Sequence, residues 1–240
     1  MKKILLLLSV SIGSYLCLNG LPTLKEEIQY TITNASGKAS GADVVGIDVS
    51  HHQGNIDWQA VARGGVDFVY IKATEGATYI DAKFRHNAHE AHKAGLMVGA
   101  YHYFRMTSSV DEQFDNFKKA TLGLSLDLIP MIDVETSDGK SKKGVQRNLD
   151  KFIELIKDEY GVSPMIYGTQ RSYNELCAPK YNHLHLYIGR YGNQPPKLLG
   201  NGGYTIWQYT ENGTVEGINK NVDKCRFNPK YSLDDIRLKK

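Results

Sequence analysis

Short apolar runs alternate with helix-like stretches along most of this 240-residue chain. In the run from Phe68 to Ile71 no charged or small polar residue interrupts the apolar and aromatic side chains. A strand of that composition is buried on both faces, which is typical of a parallel sheet covered by helices. Eight such runs lie between residues 44 and 222. Because eight parallel strands close into one barrel, we expect one large domain rather than two small ones.

Turn and capping residues between these runs give the approximate elements. Strands are predicted at 44–49, 68–73, 97–104, 129–134, 165–167, 186–191, 205–209 and 217–222. Helices are predicted at 56–62, 82–94, 111–120 and 145–160, with a weak one at 172–176. Little helical sequence separates the last three strands. The predicted fold is therefore α/β, an irregular TIM-like barrel with about five βα units followed by three mostly β strands.

The N-terminal segment differs in character from the rest of the chain. Residues 1–20 begin with two lysines and continue as a mostly apolar run, which is typical of a secretion signal. The run could instead be a lipoprotein signal that ends at Cys17, although the residues before Cys17 lack the usual small side chain. Residues 21–42 are polar and are predicted to be a linker. We expect a protein that is secreted or held at the cell envelope, with a lipid anchor at Cys17 left open.

Charge and cysteine content limit the partners and the cross-links. The formal charge is +3, and without Lys2 and Lys3 it is +1, from 27 basic and 26 acidic residues. Nothing in that balance indicates the basic stripe of a nucleic-acid-binding protein, so nucleic acid is not expected as a partner. Outside the cytoplasm Cys177 and Cys225 could form one disulfide, but the sequence does not show that they are close. We expect a monomer.

Acidic residues fall at the ends of predicted strands, where the working groups of a parallel barrel lie. They are Asp48, Asp133, Glu135 and Asp223. Since side chains alternate along a strand, Asp133 and Glu135 point to one face, with Met131 below them. Ile132 and Val134 point to the other face, into the helix layer.

The spacing of Asp133 and Glu135 indicates acid catalysis. Two carboxyls confined in one site do not both ionise easily, so the pKa of one of them is raised. A carboxyl that stays protonated near neutral pH can supply the proton that cleavage of an acetal requires. The alternative is a solvated acidic pair at a strand end. Because the first strand also ends in an acid, Asp48, the catalytic interpretation is favoured.

Aromatic residues in or just after the predicted strands support a sugar site. They are Tyr101, Tyr103, Tyr167, Tyr191, Trp207 and Tyr209. Such rings can stack on the apolar faces of sugars while their polar atoms form hydrogen bonds. Core packing would explain some of them equally well.

Six short segments resemble motifs of glycoside hydrolase family 25, the Chalaropsis-type N-acetylmuramidases or lysozymes. They are GIDVSHHQG (46–54), IKATEG (71–76), GAYHYF (99–104), DVE (133–135), WQY (207–209) and NVD (221–223). The similarity extends from about residue 44 to 227, which is nearly the whole chain beyond the linker. Motifs that occur in the same order over this length are far more specific than any one of them.

The resemblance implies a lysozyme that hydrolyses the β-1,4 bond between N-acetylmuramic acid and N-acetylglucosamine in peptidoglycan, with no cofactor and no metal. Residues 43–240 would form the catalytic domain. Glu135 would be the proton donor, Asp133 its partner, and Asp48 and Asp223 the outer acids. The expected substrate-binding residues are Glu75, Tyr101, Tyr103, Tyr167, Tyr191, Trp207 and Gln208. Glu75 could instead form an ion pair with Lys72.

The sequence leaves alternatives open for the mechanism and for the substrate. Asp133 could orient the acetamido group of the substrate as the nucleophile, or a carboxylate could activate water on the opposite face with inversion. A hydrolase of another amino-sugar polymer such as chitin and a non-catalytic glycan-binding protein are the other functional classes. The four acids argue against the binding protein, which needs no proton donor. Whether the target is the organism's own cell wall or a foreign one is open.

Overall fold

Eight strands stand side by side and close into a barrel in the computed structural model, which describes residues 44–239. The strands are β1 (Val45–Val49), β2 (Phe68–Glu75), β3 (Tyr79–Ile80), β4 (Met97–Tyr103), β5 (Met131–Asp133), β6 (Met165–Thr169), β7 (Leu186–Gly189), β8 (Ile206–Val215) and β9 (Ile218–Phe227). In the barrel the order is β1-β9-β8-β7-β6-β5-β4-β2, and β2 pairs with β1 to close the ring. The short β3 lies outside the ring, antiparallel to the end of β2. The predicted α/β barrel is confirmed.

Helices accompany the first part of the barrel. They are α1 (Trp58–Arg63) after β1, α2 (Phe84–Lys93) after β3, α3 (Val110–Thr121) after β4, α4 (Lys142–Tyr160) after β5, and α5 (Gln170–Ser172) after β6, continued by the π-helical turn Tyr173–Cys177. The side chains of Asp57, Ser109, Ser141 and Thr169 accept N–H groups at the starts of α1, α3, α4 and α5. Between residues 186 and 239 the helical segments are short 3-10 turns, Leu199–Asn201 and Leu233–Ile236. This C-terminal part of the barrel is thus mostly β, as the sequence predicts.

Alternation along the strands separates two apolar cores. One fills the barrel interior and includes Phe68, Tyr70, Met131, Tyr187, Ile206 and Phe227. The other lies between the strands and the helices and includes Ile71, Phe104, Ile132, Val134, Leu149 and Phe152. Ile132 and Val134 therefore face the helices, as expected from the period of two. Asp133 between them faces the barrel.

The two cysteines of the barrel lie in different cores. Cys177 packs in the outer core and Cys225 in the barrel interior, and both thiols are buried and free. The wall of strands separates them. The disulfide that the sequence left open is therefore not formed.

The last strand differs from its prediction. The sequence predicts a strand that ends just before Asp223, but β9 continues to Phe227 and runs antiparallel to both β8 and β1. The reason is a tight turn at Gly217, whose φ of +88° reverses the chain directly after β8. Asp223 therefore lies within β9, in register with Asp48 of β1. The prediction that Asp223 follows the end of a strand was wrong.

The predicted signal segment 1–20, Cys17 and the linker 21–42 lie outside the described residues. Among the helices of residues 44–239, none has the length and apolar character needed to cross a membrane.

The barrel interior leaves no room for a side chain at Gly46, and this gives a stability prediction. A Cβ atom there would lie 2.0 Å from the Phe68 ring. We expect Gly46→Ala to lower the free energy of unfolding by about 1–3 kcal/mol, because overpacking forces neighbouring side chains out of place. Urea unfolding measures the loss. Gly203→Ala is the control, since an added Cβ there meets no atom within 4 Å. Equal losses in both variants would contradict the prediction.

Candidate active site

A pocket of about 240 Å³ opens at the carboxyl ends of the parallel strands. Carboxyl groups dominate its lining: Asp48, Asp133, Glu135, Glu211 and Asp223. The other lining residues are Ser50, His52, Lys72, Tyr101, Tyr103, Met131, Tyr167 and Tyr191. The fold thus brings together the four acids that the sequence singles out.

Asp133 and Glu135 stand at the end of β5. The carbonyl of Asp133 accepts a hydrogen bond from the N–H of Phe104 at 2.9 Å, which fixes the strand end against its neighbour. Burial raises the pKa of Asp133 well above its usual value, and the adjacent Glu135 carboxyl raises it further. Burial also raises the pKa of Glu135, while the nearby hydroxyl of Tyr167 acts against that increase. The pair can therefore keep a proton at a higher pH than isolated carboxyls.

One oxygen of Asp133 lacks a hydrogen-bond donor. Asp133 is 6% exposed, and no donor among the described residues reaches its buried Oδ1 atom. A buried acceptor of this kind costs free energy until a donor reaches it. Since Asp133 lines the pocket, an N–H or O–H group of a ligand can be that donor.

Asp48 and Asp223 form a second carboxyl pair, between β1 and β9. Tyr187 donates to Oδ2 of Asp48 at 2.7 Å, and Nε2 of Gln208 donates to Oδ1 and Oδ2 at 3.2 and 3.0 Å. Burial and the charge of Asp223 raise the pKa of Asp48 well above its usual value. Burial also raises the pKa of Asp223, which a hydrogen bond from Asp48 counteracts. The pKa of each carboxyl in this pair is therefore raised, with burial as the main cause in both.

The aromatic residues expected to bind sugar divide into two groups. Tyr101, Tyr103, Tyr167 and Tyr191 line the pocket. Tyr191 is the most open of these, 48% exposed. Trp207 and Tyr209 are not among the lining residues.

Trp207 faces away from the pocket because of its place in β8. Its neighbours Ile206 and Gln208 occupy the interior positions, so alternation turns Trp207 to the outer face. Its indole Nε1 donates to the carbonyl of Arg190 at 2.6 Å, and the guanidinium of Arg226 lies 4.4 Å from its ring centre. This placement differs from the sugar contact expected from the sequence.

Gln208 and Glu75 are not among the residues that line the pocket. Gln208 is 1% exposed, with its amide bound to other interior side chains. Glu75 pairs with Lys72 at 2.7 Å and with Arg105 at 3.2 Å. Of the two roles considered for Glu75, the structure contains the ion pair with Lys72.

Sequence reasoning misses Glu211, which lines the pocket, because the predicted strand ends at residue 209. β8 continues to Val215, and its pairing with β9 shifts register between Gln208 and Thr210 and again before Gly213. Bulges of this kind redirect side chains beside active sites. The acid two residues after the WQY segment was the available signal.

Comparison with known proteins identifies the family. The sequence profile of glycosyl hydrolases family 25 matches residues 47–218. The chain belongs to this family. The prediction of a glycoside hydrolase is therefore confirmed.

Several proteins resemble this family 25 hydrolase along most of its length. The autolytic lysozyme of Clostridium acetobutylicum is 35% identical over 76% of this chain and 55% of its own length. Lysozyme M1 of Streptomyces globisporus is 34% identical over 80% of this chain and 70% of its own length. The crystal structure of a lysozyme from Streptomyces coelicolor has a TM-score of 0.73 at 33% identity, covering 80% of this chain and 94% of that one. The chain thus spans about half the length of the Clostridium acetobutylicum lysozyme.

The raised pKa of Asp133 predicts how stability depends on pH. The folded enzyme binds this proton more tightly than the unfolded chain, so the stabilisation is present at low pH and is lost as the pH rises through the folded-state pKa. We expect Asp133→Asn, which cannot ionise, to be more stable than the wild type at pH 7 by about 1 kcal/mol or more, since one pKa unit corresponds to about 1.4 kcal/mol.

Urea unfolding at pH 4 and pH 7 checks this prediction. The advantage of Asp133→Asn should shrink toward pH 4, where Asp133 of the wild type is protonated. Asp158→Asn, at an exposed position of α4, is the control and should change little at either pH. An Asp133→Asn variant that is less stable than the wild type at pH 7 would show that burial does not penalise the charge.

Proposed function

We propose that this family 25 hydrolase is a lysozyme, an N-acetylmuramidase that cleaves the β-1,4 bond between N-acetylmuramic acid and N-acetylglucosamine in bacterial peptidoglycan. The observation that carries the proposal is the Asp133–Glu135 pair, held with raised pKa values in a pocket lined by tyrosines. Similarity to two proteins named as lysozymes supports peptidoglycan as the substrate. Cell-wall catabolism or remodelling is the corresponding biological role.

Glu135 is the general acid of this proposal. It follows Asp133 on the same face of the strand and lines the open part of the pocket, where a glycosidic oxygen can approach. Its raised pKa keeps part of it protonated closer to neutral pH, and proton transfer to the leaving oxygen weakens the glycosidic bond.

Asp133 is the partner of the substrate's acetamido group. Its unpaired Oδ1 can accept the acetamido N–H, and this turns the acetamido carbonyl oxygen toward the anomeric carbon as the nucleophile. An inverting reaction would instead use a carboxylate as the base for water. Asp223 is the carboxylate that could serve there, because it lines the pocket while Asp48 is held by Tyr187 and Gln208. The unfilled acceptor on Asp133 favours the substrate-assisted route.

The remaining lining residues bind and orient the glycan. Tyr101, Tyr103 and Tyr191 supply ring faces and hydroxyls for the sugars, whereas the hydroxyl of Tyr167 is bonded to Gln208. Asp223 accepts hydrogen bonds from the glycan on the other side of the pocket.

The site of action is outside the cytoplasm, where peptidoglycan lies. The enzyme is a secreted or envelope-held monomer, its partners are glycan strands, and it does not bind nucleic acid. The mass of the mature N-terminus distinguishes a cleaved signal peptide from a lipid on Cys17.

The activity is tested on purified peptidoglycan. We expect the turbidity of the suspension to fall and mass spectrometry to find new muramic acid reducing ends. Glu135→Gln should keep its fold and lose at least about 100-fold in kcat, because general acid catalysis contributes that much. New glucosamine reducing ends would indicate another amino-sugar hydrolase, and no release by the wild type would indicate a binding protein. Near-normal activity of Glu135→Gln would overturn the role of Glu135.

The stereochemistry of the first product separates the two mechanisms. Because the acetamido route involves two displacements at the anomeric carbon, we expect the β anomer to form first. Proton NMR during the first minutes of the reaction resolves it from the α anomer. If the α anomer appears first, Asp133 does not act through the acetamido group.

A further inference from the structure

A chain of buried side chains connects the two carboxyl pairs of the pocket. Tyr167 donates its hydroxyl proton to Oε1 of Gln208 at 2.8 Å. Nε2 of Gln208 donates to both carboxyl oxygens of Asp48, at 3.2 and 3.0 Å. The Tyr167 hydroxyl also lowers the pKa of Glu135, and Asp48 and Asp223 act on each other's pKa, so each end of this chain of side chains lies near a further carboxyl. Gln208 therefore stands in the middle of a connection that begins at Glu135 and ends at Asp223.

The surroundings of Gln208 hold its amide in one orientation. The NH2 group faces the carboxyl of Asp48 and the carbonyl faces a hydroxyl donor, whereas a flipped amide would set its carbonyl oxygen against that carboxyl. Gly189 of β7 makes room for this arrangement. A Cβ there would lie 2.9 Å from Oε1 of Gln208 and 3.1 Å from the hydroxyl of Tyr167. Because an amide does not titrate, the connection persists over the working pH range.

We propose that Gln208 is a positioning residue that couples the two carboxyl pairs. Its NH2 group holds Asp48, and its carbonyl oxygen competes with Glu135 for the hydroxyl proton of Tyr167. This inference rests on the proposed role of Glu135 as the general acid. The positioning role replaces the sugar contact that the sequence predicts for Gln208, because Gln208 is 1% exposed and both ends of its amide are hydrogen-bonded within the protein.

The competition between Gln208 and Glu135 for the hydroxyl proton of Tyr167 affects how readily Glu135 gives up its own proton during the reaction. Before cleavage Glu135 is protonated, and Tyr167 donates to Gln208. After Glu135 has given its proton to the leaving group, its carboxylate becomes the stronger acceptor, because hydrogen bonds to ionised groups are roughly twice as strong as neutral ones. Tyr167 can then donate to it. Because Gln208 competes for the Tyr167 hydroxyl, the pKa of Glu135 stays higher than it would be if Tyr167 always donated to Glu135.

Other charged or titratable groups also face Glu135 from the walls of the pocket. They are Asp133 on β5, Lys72 on β2, Tyr103 on β4, Tyr191 after β7 and Asp223 on β9. These groups contribute to the pKa that Glu135 has in the wild-type protein. The substitutions used below leave all of them in place, so a change in pH dependence reports the hydrogen bonds of Tyr167.

Two substitutions should move the alkaline limb of the pH profile of kcat in opposite directions. Gln208→Met keeps the side-chain length but removes the competing acceptor, so the pKa of Glu135 falls and the limb moves to lower pH. Tyr167→Phe removes the donor, so the pKa rises and the limb moves to higher pH. We expect shifts of about half a pH unit or more. In Gln208→Met kcat should fall roughly 10-fold while KM stays within about twofold, as for lost transition-state positioning.

The matched control is Gln113→Met. Gln113 is 0% exposed, and its amide binds His102 and Arg105 on the helix side of the barrel wall. This variant should lose stability as Gln208→Met does, yet keep kcat within about twofold and both limbs in place. Gln208→Glu keeps an acceptor for Tyr167, so its alkaline limb should not move to lower pH. This isosteric variant also carries the test if Gln208→Met does not fold.

The coupling is refuted if the pH profiles of Gln208→Met and Gln113→Met coincide. It is also refuted if Gln208→Met and Tyr167→Phe shift the alkaline limb in the same direction, or if Gln208→Glu shifts it to lower pH. Glu135→Gln separates this outcome from failure of the proposed function. If Glu135→Gln is inactive while the limb of Gln208→Met is unmoved, the coupling alone is wrong. If Glu135→Gln is active, the assignment of the general acid is wrong.

Discussion

Closure of the strands into a ring is the constraint on which the rest of this structure depends. A closed ring has one inside, so every second side chain of each strand is directed to a common axis. Below the mouth those positions carry apolar side chains such as Phe68, Met131 and Phe227. At the mouth they carry Asp48, Asp133 and Asp223. The same alternation that fills the core therefore gathers the acids.

The apolar floor of the pocket explains the chemistry of its rim. Carboxyls that stand on a filled core lose contact with water, and burial is the largest cause of the raised pKa of Asp133 and of Asp48. Neighbouring carboxyls add to the effect. The two pairs differ in their hydrogen bonds. Asp48 accepts hydrogen bonds from Tyr187 and Gln208, whereas Oδ1 of Asp133 accepts none from the described residues. The protein satisfies the carboxyl of Asp48, whereas Asp133 is left with an acceptor that a ligand can reach.

Much of this arrangement could be predicted from sequence, and the failures have a common cause. Local rules were sufficient for β5, where a period of two places Asp133 on the barrel side and Val134 on the helix side. They failed for Trp207, because the sequence shows that alternate residues share a face but not which face is inside. Gln208 in the same strand takes the interior position, and only its pairing with Asp48 reveals that. The separation of Cys177 and Cys225 likewise depends on the ring as a whole.

The β8–β9 hairpin shows why the irregular end of the barrel suits this site. A parallel strand would reach the mouth only with its last residues, as β5 does with Asp133. An antiparallel strand enters from the mouth, so β9 can place Asp223 opposite Asp48 and still continue into the core with Cys225 and Phe227. The hairpin that makes this possible also extends above the rim, where the bulges of β8 bring Glu211 to the pocket. A hairpin in place of two βα units therefore adds acids on the side of the pocket opposite Glu135, where they form a second wall of the pocket.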